Sequence, residues 1–303
     1  MTRYEAMRLI SDYYYNDNPT DEDKFLFVEA QLFLIHTYHN PKDMHNLAWF
    51  YLEERRFDLE VKYLEMAAAL GHISSIEELG YIWYYGQNGV VDYRKAYECF
   101  SQGVESGNEI TAICCGYKLA DMYHYGYYVR KSEVKYSLMI KDIFARVSDP
   151  DGNCLMTIAY PDVAYRMAGI LVEEGRKTKA YRILKEATRI LSEAIRDNPN
   201  WWGNIELMDY IVTLMHEVEP RSEDMRLSVY DLFWIWKMPC KMAFLYDGRR
   251  FVIEVEPDED GNVIRFEGKW YRNARDFFEK AQIDGKKIVY LYDELFDMEV
   301  QYG

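Results

Sequence analysis

Leu79-Gly80-Tyr81-Ile82-Trp83-Tyr84-Tyr85-Gly86 returns as Leu119-Ala120-Asp121-Met122-Tyr123-His124-Tyr125-Gly126, with a leucine, a small residue, an aromatic and a closing glycine in the same places. Working outward, Leu47-Ala48-Trp49-Phe50-Tyr51 is an earlier copy and Met167-Ala168-Gly169-Ile170-Leu171 a degraded later one. The marker positions are 32, 40 and 48 residues apart. A period of tens of residues is the mark of a stack of supersecondary units, each too thin to bury its apolar face alone. The drift in spacing places insertions in the loops between units. Gly103 to Gly116 is expected to hold one, and the turn signal Asp149-Pro150-Asp151-Gly152-Asn153 another.

The fullest unit runs from Ser75 to Gly107. Leu79, Ile82 and Trp83 fall at i, i+3 and i+4 and give a first helix one apolar stripe. Gly86 and Gly89 permit reversal, and Asp92 is placed to accept from the first free amides of a second helix, which carries Ala96 and Phe100 inward. Gly80 and Ala96 are small enough to let the two axes approach closely.

Leu79-Gly80, Trp83, Gly86, Gly89-Val90, Asp92, Lys95-Ala96, Phe100 and Gly107-Asn108 together resemble a Sel1-like repeat. The resemblance is partial from Leu119 to Tyr136 and weak from Leu47 to Gly71, where the glycine-rich loop is missing. It covers about a third of the chain. It implies a tetratricopeptide-related superhelix of helix pairs and a protein-interaction role, and it brings no catalytic residues with it. Some members staple each helix pair with a disulfide. The five cysteines, Cys99, Cys114, Cys115, Cys154 and Cys240, do not follow that pattern and read as reduced thiols of a cytoplasmic protein.

The flanks read as helical too. Thr20 with Asp23 makes a capping box opening Asp21 to Tyr38. Pro161 suits the first turn of a helix that Gly175 ends, and Lys177 to Arg196 follows with Ala180, Ile183, Leu184, Ala187 and Leu191 at helical spacing. Gly203 to Val218 is expected to be helical, and Ser222 to cap a last helix reaching Trp236. Beyond Pro239 the period turns from helical to alternating. Ala243 to Tyr246, Phe251 to Glu256, Val263 to Phe266, Ile288 to Tyr292 and Met298 to Tyr302 read as strands, with a short helix from Asn273 to Ala281. The fold class is therefore mostly α: a solenoid of Sel1/TPR-like helix pairs over residues 1–237, then a small α+β domain over 238–303.

The net charge of -15, from 36 basic and 51 acidic residues, argues against nucleic acid, whose binders present basic stripes that displace counterions. It favours encounter with a basic protein. No run approaches the ~18 apolar residues of a spanning helix, so no membrane association is expected. No phosphate loop, nucleophile elbow or Ser/His/Asp set is visible, and neither an enzyme nor a cofactor is expected.

Tyr84, Tyr85, Tyr125, Tyr127 and Tyr128 crowd the loop ends of the repeats, where binding residues concentrate. With Glu53, Glu54 and Asp92 they are the expected binding surface for a protein or peptide, and a basic partner would make the chain an acidic, immunity-type inhibitor. A sensing or enzymatic function of the terminal module, regulated by the helices, is the alternative. Trp201-Trp202 and Trp234-Ile235-Trp236 read as a core seam at the domain junction or as contact residues, with the seam preferred. Asp293, Glu294, Asp297 and Glu299 read as the wet face of an edge strand rather than a metal site. His36, His39 and His45 read as helix-end residues rather than ligands.

Overall fold

The computed structural model describes residues 1–198, 202–218, 228–259, 261–291 and 294–302. They fold as two compact units, Met1–Met139 and Ile140–Gly303.

The first unit contains α1 (Arg3–Tyr14), α2 (Asp21–Tyr38), α3 (Pro41–Glu53), α4 (Phe57–Ala69), α5 (Ile73–Tyr85), α6 (Tyr93–Glu105) and α7 (Glu109–Tyr125), and α8 (Glu133–Val147) begins in it. From α1 to α7 each helix packs on the next, and α5 also packs on α7, the contact by which one unit stacks on the following one. One apolar cluster runs through the whole unit, from Phe27 on α2 to Met122 on α7, with Leu47, Leu79 and Leu119 inside it.

The repeat is written in the backbone. At the end of α5, Gly86 is left-handed, and the amide of Asp92 returns to the carbonyl of Trp83 at 2.9 Å. At the end of α7, Gly126 is left-handed, and the amide of Ser132 returns to the carbonyl of Tyr123 at 2.8 Å. Asp92 and Ser132 then each accept from a lysine amide of the helix that follows, Lys95 and Lys135. The connectors into α5 and α7 match as well. Gly71 and Gly107 are left-handed, and His72 and Asn108 cap the next helix by accepting from the amides of Ser75 and Thr111.

One expectation changes and one holds. The segment from Gly103 to Gly116 holds no inserted loop, because Gly103 lies within α6 and Gly116 within α7. The extra residues lengthen the helix itself: α7 has 17 residues where α5 has 13, one added turn. Gly80 does make room for a close approach, since a methyl group there would meet the Phe100 ring of α6 at 2.6 Å.

The second unit contains α9 (Tyr160–Glu173), α10 (Lys177–Asp197) and α11 (Trp202–Val218), with α10 packed on both α9 and α11. The turn from Asp149 to Asn153 forms as its sequence requires. Asp149 accepts from the amide and side chain of Asn153, and Gly152 is left-handed. The α9–α10 turn returns the amide of Arg176 to the carbonyl of Leu171, and Ala180, Ile183, Leu184, Ala187 and Leu191 are all buried.

Ser222 lies outside the described residues. Ser228 is extended, so the helical stretch ending near Trp236 begins only at a 3₁₀ turn, Val229–Asp231, followed by α12 (Leu232–Ile235). A five-stranded antiparallel sheet comes next, in the order β4-β3-β2-β1-β7. It comprises β1 (Cys240–Tyr246), β2 (Arg249–Asp258), β3 (Gly261–Phe266), β4 (Lys269–Tyr271) and β7 (Phe296–Tyr302), while β5 (Gln282–Ile283) and β6 (Lys286–Lys287) form a separate ribbon. Residues Ile288–Tyr290, expected as a strand, form a 3₁₀ turn with Ile288 and Val289 buried, and Tyr292 lies outside the described residues. Helix α13 (Ala274–Lys280) turns Phe277 onto Phe266 and Tyr271 and Phe278 onto Tyr230 and Phe233. Arg275 on the same helix pairs with Glu206 and Asp209 of α11, both at 3.1 Å.

Trp234 stacks on His216, whose Nε2 lies 2.9 Å from Asp231 in a buried pair, and Ile235 is fully buried. These contacts bury Ile235 and fix Trp234 against α11, on the helical side of the expected domain junction. Trp201 lies outside the described residues. Glu294, Asp297 and Glu299 are exposed, with β7 at the sheet edge, while Asp293 is not described.

Candidate functional site

The tyrosines at the loop ends of α5 and α7 divide into two groups. In the first, left-handed Gly126 reverses the chain, which lets the Tyr127 ring stack on Tyr93 at 4.2 Å and 8° and on Tyr125 at 5.2 Å and 25°. Tyr128 is itself left-handed, with φ 63°, and its ring lies 5.5 Å from Tyr97. Tyr125 and Tyr128 are 55% and 56% exposed. A row of stacked rings ending in exposed ones offers rigid apolar faces with polar tips, the composition of binding hot spots. Burial and the neighbouring Tyr127 hydroxyl push the Tyr93 phenol above its ordinary range.

The second group surrounds a cation. Lys118 of α7 is buried, with its ammonium 4.9 Å from the centre of the Tyr85 ring and between 5.3 and 5.8 Å from those of Tyr117, Tyr84 and Tyr81. It donates to the Tyr85 hydroxyl and lies 3.8 Å from the Asp121 carboxylate. The negative faces of aromatic rings attract a desolvated ammonium, and the carboxylate neutralises it. Tyr84 therefore belongs to the core and not to the surface: it is buried, and its ring also packs against Phe100 and Tyr93. Tyr85 is half inside, ringing Lys118, yet 54% exposed.

The acids expected beside the tyrosines have separate positions. Asp92 caps α6, accepting from the amides of Arg94 and Lys95. Glu54 pairs with Lys24 of α2 at 2.6 Å. Glu53, at the end of α3, is exposed and forms no ion pair among the described residues. Tyr81, Tyr93, Tyr97, Tyr117 and Lys118 were not singled out from sequence. Tyr93 and Tyr97 were legible in principle, since they sit at i and i+4 on α6, one turn apart.

A polar cluster joins α3, α4 and α5. Glu78 accepts from the Trp49 indole and lies 3.0 Å from His45 Nε2, and the His45 and His72 rings are 4.7 Å apart. Burial, and then the charge of Glu78, raise the Glu60 carboxyl to about 7. Burial and the neighbouring His45 lower His72. Among the described residues no group of three or more His, Cys, Asp or Glu is arranged to hold a metal ion. His36 lies in the last turn of α2, and His39 is its left-handed C-cap. None of the five cysteines is in a disulfide. Among the described residues no helix is long and apolar enough to cross a membrane.

What the geometry defines is a class: a protein of paired helices in tandem, with glycine-led loops of the kind a Sel1-like resemblance implies, followed by a small antiparallel sheet. No family model matches the sequence, and no curated protein matches it. Among solved structures, the chain is similar to a Sel1 repeat protein from Oxalobacter formigenes, at 15% identity and a TM-score of 0.47, over 74% of this chain and 83% of that one. It is also similar to c5321, a protective antigen of uropathogenic Escherichia coli with an SLR fold, at 15% identity and a TM-score of 0.31, over 76% of this chain and 58% of that one. The repeat assignment stands on the chain's own internal correspondences.

Proposed function

We propose that this chain is a non-enzymatic, Sel1-like interaction scaffold that captures a protein or peptide, and that the partner is basic. The observation that carries this reading is the stacked row Tyr93, Tyr127 and Tyr125 with exposed Tyr128 beside it, on a unit holding 21 acidic against 13 basic residues. Such a surface suits aromatic anchoring with long-range attraction of positive charge. The same ring chemistry already holds Lys118 inside the chain. In its narrower form the scaffold is an immunity-type inhibitor, whose acidity speeds encounter with a toxic basic protein.

Affinity capture from cell extract, followed by mass spectrometry, is the test. The expected partner is basic, is released as salt rises, and is retained poorly by the variant Tyr125→Ala/Tyr128→Ala. A partner held equally by wild type and variant, at low and high salt, would count against both the surface and the charge.

A further inference from the structure

A second aromatic feature lies away from the repeat loops, where the end of α1 meets α2 and α3. The rings of Tyr13, Tyr14, Phe27, Trp49 and Phe50 line an open cavity of about 300 Å³, together with Glu53, Asn46 and His45, whose Nε2 is held by Glu78. Its floor is rigid. The Tyr13 ring lies 4.4 Å from Phe27, Phe27 lies 5.1 Å from Phe50, and Tyr14 meets Phe27 edge-on at 5.5 Å. Trp49 is tied in place by the bond from its indole to Glu78. At the rim stands Glu53, whose carboxylate has no cationic partner among the described residues, whereas its neighbour Glu54 is engaged by Lys24. After burial, the charge of Glu53 is the next cause that raises the phenols of Tyr13 and Tyr14, so the carboxylate field reaches the rings.

Aromatic faces beside an unneutralised carboxylate are the complement of a cation. Between the two common ones, a guanidinium fits better. It is planar and stacks on rings, is more weakly hydrated than an ammonium, and meets a carboxylate with two parallel N–H donors. A cavity of this size accepts one side chain, not a folded segment.

We propose that this groove is a receptor for an arginine side chain of a basic partner, with the guanidinium stacked among Tyr14, Tyr13 and Trp49 and paired to Glu53. The proposal rests on the reading that the chain binds a basic protein, and it assigns the residue type recognised.

The experiment measures fluorescence anisotropy of two labelled peptides of equal length, one oligo-arginine and one oligo-lysine, with the full chain. Arginine is expected to bind about fivefold more tightly than lysine, with Glu53→Gln and Tyr14→Ala each losing about fivefold for the arginine peptide. Glu54→Gln, which removes the same charge one residue away, is expected to leave affinity within about twofold. Thermal melts of the variants check folding; Tyr14 is exposed and its ring can be removed at the surface. Equal losses from Glu53→Gln and Glu54→Gln would reduce the effect to diffuse charge and overturn the groove, as would equal binding of the two peptides or the absence of binding. A captured partner that depends on Tyr125 and Tyr128, with peptide affinity indifferent to Glu53, would retire the groove and leave the scaffold standing.

Discussion

The ammonium of Lys95 stands 3.9 Å from the centre of the Trp83 ring, and one repeat later that of Lys135 stands 4.6 Å from the Tyr123 ring. Each lysine follows the loop's capping residue by three positions and reaches back to the aromatic whose carbonyl that residue's amide bonds. The pair thus ties the second helix of a unit to the first. Lys95 also lies 3.6 Å from Glu65, but both side chains are about half exposed and such a pair contributes little. Lys95→Ala is expected to cost about 0.5–1 kcal/mol and Glu65→Gln less than about 0.5. Urea unfolding of the two variants checks the ranking, and equal losses would assign the stabilisation to the ion pair.

The caged ammonium makes a larger prediction. Removing one member of a buried ion pair takes the opposite charge from the other, which costs about 3 kcal/mol or more. Lys118→Met is expected to destabilise by that amount through Asp121, whose side chain is only 8% exposed. Adding Asp121→Asn should recover most of it. If the double variant is no more stable than Lys118→Met, the loss belongs to ring packing rather than to the broken ion pair.

Arg55 is left-handed with φ 56°, at the turn between α3 and α4, and Gly175 with φ 75° occupies the same place between α9 and α10. Both turns return the next amide, Arg56 or Arg176, to a carbonyl in the preceding helix at 2.8 Å. A side chain in this conformation costs about 1–2 kcal/mol, partly offset by the greater freedom glycine has when unfolded. Arg55→Gly is expected to raise stability by about 0.5–1 kcal/mol, and Gly175→Ala to lower it by a similar amount. Chemical denaturation of both reads the signs.

How far this architecture was legible follows from where its signals lie. Loops declared themselves, because left-handed turns need glycine and free amides need caps. Gly86, Gly126, Asp92 and the Thr20–Asp23 box all hold the roles their types dictate. Gly103 misled for the same reason: a glycine reads as a break, but this one sits inside α6 where a methyl group would collide with Cys115. Helix α1 buries only Ala6, so its apolar periodicity is weak, although Thr2 and Glu5 form a capping box. Ile288-Val289-Tyr290 has strand composition, but Ile288 and Val289 are buried in a 3₁₀ turn, and packing overrides propensity. Of the candidate site, the exposed tyrosines were readable from the repeat. The burial of Tyr84 and the cage it forms with Lys118 depend on α7 packing against α5, which no local pattern encodes.

The cluster around Glu78 carries two opposed pH dependences. Glu60 has its folded pKa raised from 4.5 to about 7, so the folded state holds a proton that the unfolded chain has released, and its contribution declines as pH rises from 4.5 to 7. His72 has its folded pKa lowered from 6.5, so its contribution is present above 6.5 and lost as pH falls below it. Burial and then the neighbouring His45 lower it, and the geometry agrees, since Nδ1 accepts from the amide of Ser75 at 3.3 Å, which a protonated ring cannot do. Asn108 performs the same capping for α7 without titrating. His72→Asn is therefore expected to remove the acid-side decline while keeping the cap, and Glu60→Gln to stabilise progressively more, relative to wild type, as pH moves from 5 to 8. Melting temperatures across that range test both, and parallel pH profiles for wild type and His72→Asn would show that the cap does not depend on a neutral imidazole.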